Sequence, residues 1–194
     1  MPNSPFPIAA LVLAGGQSSR MGRDKALILW DGKPMLQRVC LAAAYCCQSV
    51  SILSPWPERY REIVTGDYQW LVESHPGQGP LIALTEGLAI LEEDWVLLLA
   101  CDLPALQPEI LGQWARQLPD LPPNIIALVP RQGTRWEPLC GFYRRSGRSR
   151  LESFIQAGGR SFQAWLSEIP VKPLTVRSQE ALMLRNCNSY EDLL

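Results

Sequence analysis

The chain has 194 residues, of which 47% are apolar and 19% charged, and its formal net charge is −1. This composition is typical of a globular protein and excludes a disordered chain. The nearly balanced charge argues against a nucleic-acid-binding protein, which requires a strong basic excess. The length predicts one domain over residues 1–194.

The apolar segments of the sequence are too short to form a helix that spans a membrane. The longest of them, such as WVLLLAC, have the length of a strand rather than the roughly 20 residues of a bilayer-spanning helix. Residues 1–7 lack a basic segment and are expected to form a disordered lead rather than a signal peptide. The six cysteines form no C-x-x-C pair, which favours reduced thiols in a cytoplasmic protein, and one histidine cannot build a zinc site.

The predicted elements alternate between strands and helices. In chain order they are strand 8–14, helix 35–46, strand 49–54, short helix 57–64, strand 69–74, helix 79–93, strand 94–102, helix 108–118, strands 124–130 and 136–145, helices 149–158 and 161–169, strand 172–177 and a terminal helix 189–194. Apolar strands between amphipathic helices predict an α/β fold of three layers, α/β/α, with a mostly parallel central sheet. The proline-rich segment PDLPPN is expected to be a loop between a nucleotide-binding half, roughly 8–120, and an acceptor-binding half, 121–194.

The first predicted strand ends in an unusual loop, within the segment ALVLAGGQSSRMGRDKALI. In open α/β sheets ligands lie outside the carboxyl ends of the strands, which is where this loop falls. Gly15 and Gly16 allow positive φ angles and a close approach of backbone N–H groups to an anion. Arg20, Arg23 and Lys25 add charge-assisted hydrogen bonds to phosphate oxygens. The loop is therefore predicted to bind phosphates.

Neither the Walker A pattern nor the G-x-G-x-x-G fingerprint fits this loop. Instead, LAGGQSSRMGRDKALI resembles the L-A-[GA]-G-x-S-x-R-M-G-x-D-K signature of nucleotidyltransferases, and it looks most like that of the molybdenum cofactor guanylyltransferases. Further segments similar to this family follow in order: DGKPML, GQGPLIAL, LLLACDLP, EPLCGFYRR and LRNCNSYEDL. The resemblance covers nearly the whole chain and implies a Rossmann-like nucleotidyltransferase fold.

Asp102 follows a strongly apolar predicted strand, at the same sheet edge as the glycine loop. A carboxylate beside phosphates suits Mg²⁺, which protein sites hold by one or two carboxylates and substrate oxygens. The alternative is an aspartate that caps a turn. The resemblance likewise implies that Asp102 holds Mg²⁺ and that Lys25 binds the nucleotide phosphates.

The resemblance also implies contacts with the guanine nucleotide, but at two positions this sequence has a different residue from the one usual in the family. The expected nucleotide-binding positions are Leu13, Ala14, Gly15, Gly16, Lys25, Ser74 and Asp102. Ser54 stands where a base- or ribose-binding asparagine is common in the family. Ser74 stands where an aspartate is usual, which leaves Asp67 or Glu73 as possible substitutes.

The activity that the resemblance implies is transfer of GMP from GTP to the terminal phosphate of molybdopterin, with release of pyrophosphate. A phosphate monoester is already nucleophilic, so catalysis rests on alignment and charge neutralisation. Arg20 and Lys25 are expected to stabilise the pyrophosphate and the pentavalent centre, while Mg²⁺ on Asp102 bridges phosphate oxygens. Transient contacts with other proteins of cofactor biosynthesis are a further expectation.

The acceptor side is expected in RQGTRWEPLCGFYRR. Its arginines, which are Arg131, Arg135, Arg144 and Arg145, either bind the pterin phosphate or serve solubility. Asn186 and Asn188 either face the active site or cap the terminal helix that begins at Ser189.

Three alternatives stay open at this point. A cytidylyltransferase for the same cofactor or a sugar-phosphate nucleotidyltransferase keeps the fold, although LAGG rather than LAAG favours the guanylyl enzyme over the cytidylyl one. A non-catalytic GTP-binding sensor has no need of both Lys25 and Asp102. A carrier of molybdopterin without nucleotide affinity leaves the opening loop unexplained.

Overall fold

The computed structural model describes residues 7–15 and 24–187. The strands are β1 (Ile8–Leu13), β2 (Leu29–Trp30), β3 (Lys33–Pro34), β4 (Ser49–Ser54), β5 (Gln69–Val72), β6 (Trp95–Ala100), β7 (Ala127–Gln132), β8 (Arg135–Trp136), β9 (Cys140–Arg144) and β10 (Val171–Thr175). The α-helices are α1 (Met35–Ala44), α2 (Glu58–Arg61), α3 (Pro80–Ile90), α4 (Pro108–Ala115), α5 (Arg148–Gln156), α6 (Phe162–Glu168) and α7 (Ser178–Met183).

Eight strands form one sheet in the order β10-β7-β9-β6-β1-β4-β5, with β8 added to β7. Strands β6, β1, β4 and β5 are mutually parallel, and β10 is parallel to β7. Strand β9 runs antiparallel to both β6 and β7, so β7 has the same direction as β6. The carboxyl ends of all these strands except β8 and β9 therefore lie at one edge of the sheet, which we call the carboxyl edge.

The side chains of each central strand alternate between two apolar layers, as expected for a sheet covered on both faces. In β1, Ile8, Ala10 and Val12 pack in the layer under α1 and α4, whereas Ala9 and Leu11 pack under α3, α5 and α6. Gly87 lets α3 approach β1 closely, because a Cβ there would collide with the side chain of Leu11. The predicted three-layer α/β/α fold with a mostly parallel sheet is confirmed.

Three details differ from the sequence prediction. Asp31 and Gly32 have φ angles of 46° and 74° and form the turn of an unpredicted hairpin between β2 and β3. The strand predicted over 136–145 is two strands, β8 and β9, because Pro138 interrupts it. Helix α7 was not predicted, and the predicted helix 189–194 lies outside the described residues.

The segment after β10 brings the end of the described chain back to the middle of the sheet. Met183 and Leu184 pack into the layer that also contains α1 and α4. The backbone N–H of Cys187 donates to the carbonyl of Asp102 at 2.9 Å. No described helix is long and apolar enough to cross a bilayer, and none of the cysteines, all within the described ranges, forms a disulfide.

Candidate active site

A pocket of about 590 Å³ opens at the carboxyl edge. Except for Leu139, which precedes β9, the described residues that line it come from the ends of four parallel strands and the segments that follow them. They are Leu13, Ala14, Gly15, Asp24, Lys25, Ala26, Leu53, Pro55, Trp56, Glu73, Pro76, Gly77, Gly79, Pro80, Ala83, Ala100, Cys101, Asp102 and Leu139. The pocket thus brings Gly15, Lys25 and Asp102 together in one place.

The end of β1 forms the floor of the pocket. The N–H of Ala14 donates to the carbonyl of Leu53 at 2.9 Å, which fixes the chain as it leaves the sheet. At Gly15 a side chain is excluded, because a Cβ would collide with Pro55. The expectation of a positive φ angle is wrong at Gly15, which is not among the positive-φ residues of the described chain. The glycine is required by close packing against Pro55.

Lys25 begins a short 3₁₀ helix, Lys25–Leu27, whose N-cap is Asp24. Oδ1 of Asp24 accepts a hydrogen bond from the backbone N–H of Ala26 at 3.1 Å. Oδ2 of the same carboxylate accepts one from the hydroxyl of Tyr60 at 2.6 Å. The turn that carries Lys25 is therefore held both by its own cap and by a buried side chain of α2.

Asp102 lies two residues beyond β6, with Oδ1 buried and without a hydrogen-bond partner among the described residues. Burial raises the pKa of its carboxyl, and the positive charge of Lys25 and a backbone hydrogen bond partly offset that rise. An orphaned carboxylate oxygen in a pocket is the donor that a hard cation prefers. No group of three or more His, Cys, Asp or Glu side chains suited to a metal occurs in the described ranges.

Glu73 and Ser74 are neighbours in the chain, but they differ in their relation to the pocket. Glu73 lines the pocket, and burial raises its pKa, with a further rise from Glu86 and an opposing effect of His75. Ser74 is exposed and not among the described lining residues, and its N–H donates to Oε2 of Glu86. Of the two substitutes considered for the missing aspartate, Asp67 and Glu73, the pocket contains Glu73.

Ser54 does not face the pocket as the corresponding asparagine was expected to do. Its side chain is fully buried, and its Oγ accepts a hydrogen bond from the N–H of Trp56 at 3.0 Å. From the segment after β4, Pro55 and Trp56 line the pocket, and sequence reasoning did not single out Trp56 as a site residue. The signal that could have identified it is an aromatic residue between two prolines, two residues after a buried strand.

The four candidate acceptor arginines divide between opposite edges of the sheet. Arg131 and Arg135 belong to β7 and β8 at the carboxyl edge, where Arg131 stacks on Trp136 at 4.8 Å from the ring centroid. Arg144 lies opposite Trp95, at the other end of β6, and donates to the carbonyls of Pro122 and Pro123. The N–H of Arg145 donates to the carbonyl of Asp94 nearby. Antiparallel β9 carries Arg144 and Arg145 to the edge of the sheet opposite the pocket, so of the two alternatives for them the structure does not support contact with a ligand in the pocket.

Several predicted site residues lie outside the described ranges. These are Gly16, Arg20, Arg23 and Asn188. Asn186 is described and exposed, one residue before the Cys187 N–H that bonds to Asp102.

A second, wider groove of about 720 Å³ lies on α5 and α6. Its lining includes Arg150, Phe154 and Trp165, and none of the predicted site residues. The predicted chemistry therefore converges on the carboxyl-edge pocket.

Sequence and structure comparisons agree on the relatives of this chain. A Trichormus variabilis protein named "Probable molybdenum cofactor guanylyltransferase" is 52% identical over 186 residues, which cover 96% of this chain and 88% of that protein. A Synechococcus elongatus protein of the same name is 44% identical, with 95% of each chain covered.

Solved structures support the same fold. A putative protein of Aquifex aeolicus has a TM-score of 0.77 at 20% identity, with 96% of this chain and 95% of that one covered. Molybdopterin-guanine dinucleotide biosynthesis protein A of Archaeoglobus fulgidus has a TM-score of 0.76 at 21% identity, with 95% and 94% covered. The sequence model of the MobA-like NTP transferase domain matches residues 10–170, and the chain belongs to this family of nucleotidyltransferases.

Proposed function

We propose that this protein transfers GMP from GTP to the terminal phosphate of molybdopterin, forming the guanine dinucleotide cofactor and releasing pyrophosphate. The observation that carries the proposal is that Lys25 lies in the same pocket as Asp102, whose buried Oδ1 has no hydrogen-bond partner among the described residues. Relatives at 44–52% identity, named for this activity, support the choice of substrates.

The triphosphate lies where the pocket offers positive charge and backbone donors. Those groups are Lys25 and the chain that leaves β1 at Gly15, next to Asp102 at the end of β6. Strands β4 and β5 continue the sheet away from β6, so the base extends toward Glu73. An ionised carboxylate accepts hydrogen bonds from both N1–H and the exocyclic amino group of guanine, a donor pair that adenine and cytosine lack.

Magnesium fits the proposed site, because Asp102 supplies one carboxylate and the nucleotide supplies phosphate oxygens. A bound Mg²⁺ neutralises charge on the phosphates and orients them. In its presence the Lys25 ammonium stabilises the negative charge that develops on the leaving pyrophosphate. Arg20 and Gly16, which are not described, remain predicted partners of the same phosphates.

The acceptor approaches from the side of β7 and β8. The N–H of Ala100 donates to the carbonyl of Leu139 at 3.0 Å, so the segment before β9 runs beside the residues that lead to Asp102. Arg131 and Arg135 offer positive charge for the pterin phosphate. One of its oxygens forms a bond to the α-phosphorus of GTP as the bond from that phosphorus to the αβ-bridging oxygen breaks. No general base is needed for this step.

This arrangement assigns the nucleotide to the predicted half 8–120 and the acceptor to the half 121–194. The cytoplasm, where cysteines stay reduced, is the proposed compartment. Transient contact with a protein that supplies or receives the cofactor is part of the same proposal.

The direct test measures pyrophosphate release with molybdopterin and each of GTP, CTP, UTP and ATP. GTP is expected to be preferred, and Lys25→Ala and Asp102→Ala are each expected to lower turnover about 10²–10³-fold. Lys33→Ala and Asp67→Ala remove the same charges at exposed positions outside the pocket lining and are the matched controls. Preference for CTP would favour the cytidylyl alternative, and GTP binding without pyrophosphate release would favour the sensor.

A further inference from the structure

We infer that the indole of Trp56 is the platform on which the nucleobase stacks, and that Arg59 supports it from behind. This inference rests on the proposed function, since it assigns the base end of the same nucleotide. It concerns a residue type at a position where the family resemblance offered no candidate.

Trp56 is held in place by short-range structure. It lies two residues after β4, and its N–H donates to Oγ of the fully buried Ser54 at 3.0 Å. Pro55 and Pro57 flank it and restrict its backbone. A half-buried tryptophan fixed in this way loses little freedom on binding a ligand, which favours a recognition role.

The guanidinium of Arg59 lies 4.2 Å from the centroid of the Trp56 ring. Trp56 lines the pocket and Arg59 is not among the described lining residues. The guanidinium thus occupies one face of the indole, and our inference places the base on the other face. In that arrangement the cation behind the ring supports the aromatic surface by a cation–π interaction.

Glu73 lies beside this platform, at the end of the neighbouring strand β5. Its N–H donates to the carbonyl of Ser54 at 2.9 Å, so the same buried serine fixes both Trp56 and Glu73. Adjacent strands of a sheet are about 4.8 Å apart, so the residues that follow β4 and β5 lie close enough together to contact the same base. Trp56 then contacts the face of the base, while Glu73 contacts its hydrogen-bonding edge.

The position along the sheet fits a nucleotide rather than the pterin. Lys25 and Asp102 mark the phosphate end at β1 and β6, and Trp56 follows β4 on the side away from β7 and β8. Every base has an aromatic face, so stacking supplies affinity with little discrimination among bases of equal size. We therefore assign nucleotide affinity, greatest for purines, to Trp56, and the choice of guanine to Glu73.

Calorimetry with two ligands separates stacking from phosphate binding. The probes are GTP and inorganic tripolyphosphate, each with Mg²⁺. Trp56→Ala is expected to weaken GTP binding about 5- to 100-fold, the range for loss of one base-stacking contact, and to leave tripolyphosphate binding within twofold. Trp56→Phe, which keeps an aromatic face, is expected to stay within about threefold of the wild type for both ligands.

The supporting arginine has a matched control on the same helix. Arg59→Ala is expected to weaken GTP binding about 2- to 5-fold, the range for an exposed cation–π pair. Arg61→Ala removes the same charge from an arginine that stacks on Trp70, which is not among the described lining residues, and is expected to change nothing. Equal losses in both variants would reduce the effect of Arg59 to its charge and overturn its supporting role.

Unchanged GTP affinity in Trp56→Ala, or an equal loss of tripolyphosphate affinity, would overturn the proposal that Trp56 is the stacking platform. Failure of the proposed function is read separately, from pyrophosphate release by the wild type. A wild type that uses CTP would contradict guanylyl transfer, yet a selective loss of CTP affinity in Trp56→Ala would still support the platform.

Discussion

The hydroxyl of Tyr60 donates a 2.6 Å hydrogen bond to Oδ2 of Asp24, the residue immediately before Lys25. Tyr60 is fully buried and stacks on Trp70, so the donor is fixed within the core. Burial and the carboxylate of Asp24 both raise the pKa of the Tyr60 phenol, which keeps it protonated as a donor. Helix α2 thus holds the turn that carries the proposed phosphate-binding lysine.

Tyr60→Phe is expected to lower kcat/KM for GTP about tenfold. The variant keeps the aromatic stack but removes the hydrogen bond, and bonds to charged groups contribute about 1.5–3 kcal/mol. Tyr68→Phe is the control, because its hydroxyl bonds to Gln37 on the same face of the sheet and not to a pocket residue. Steady-state pyrophosphate release checks both variants. Equal activity of Tyr60→Phe and wild type would show that Asp24 does not depend on this bond.

Asp102→Asn is expected to stabilise the ligand-free protein at neutral pH while it strongly lowers turnover. Because burial raises the pKa of Asp102 in the folded state, its ionised form is disfavoured there relative to the unfolded chain. This destabilisation is full above the folded pKa and disappears as the pH falls below the unfolded value. The variant should therefore gain melting temperature at pH 8 and lose that gain near pH 4.

Thermal unfolding of both proteins across this pH range checks the prediction. Each kcal/mol gained raises the melting temperature by about 2–4 °C for a chain of this length. A lower melting temperature in Asp102→Asn at pH 8 would mean that attraction to Lys25 outweighs the cost of burial.

The affinity for GTP is expected to fall on the acid side at a higher pH than an ordinary glutamate would produce. Burial and then the charge of Glu86 raise the pKa of Glu73, and a protonated Glu73 accepts fewer hydrogen bonds from guanine. Glu86→Gln removes the like charge and should move this acid limb to lower pH. Titration of GTP between pH 4.5 and 8 measures the shift, and tripolyphosphate reports any change at the phosphate end. If the acid limb of GTP affinity stays at the same pH in Glu86→Gln, Glu73 does not contribute to base binding.

The two pairs of arginines are expected to respond differently to substitution. Arg135→Ala should raise KM for molybdopterin about 5- to 10-fold with little loss of stability, because its side chain is exposed at the carboxyl edge. Arg144→Ala should lower the melting temperature and leave this KM unchanged, since it loses its stack on Trp95 and its hydrogen bonds to Pro122 and Pro123. The reverse pattern would place the acceptor at the opposite edge.

Much of the fold follows from local patterns in the sequence. The apolar run of β6 and the glycine loop after β1 mark two central parallel strands and the edge where their ligand lies. The hairpin turn at Asp31 and Gly32 carries a dipeptide signal that sequence reasoning did not use. Helix α7 has six residues and packs through long-range contacts, so its local pattern is weak.

The site was harder to predict where a shift of one position along the chain changes the side to which a side chain points. Glu73 and Ser74 follow the end of β5, and neighbouring side chains of an extended segment point to opposite sides. The positions of Arg135 and Arg144 depend on β9 being antiparallel, which spacing along the chain does not reveal. The position of Trp56 depends on the hydrogen bond from its N–H to the buried hydroxyl of Ser54, which forms only in the folded turn.

The central claim is that the triphosphate of GTP lies between Lys25 and Asp102 at the carboxyl edge. A crystal structure of the protein with GTP and Mg²⁺ tests it most directly. The account predicts phosphate oxygens at Lys25 and the Gly15 backbone, and a cation on Oδ1 of Asp102. A nucleotide seated elsewhere, such as the groove on α5 and α6, with no ion near Asp102, would contradict it.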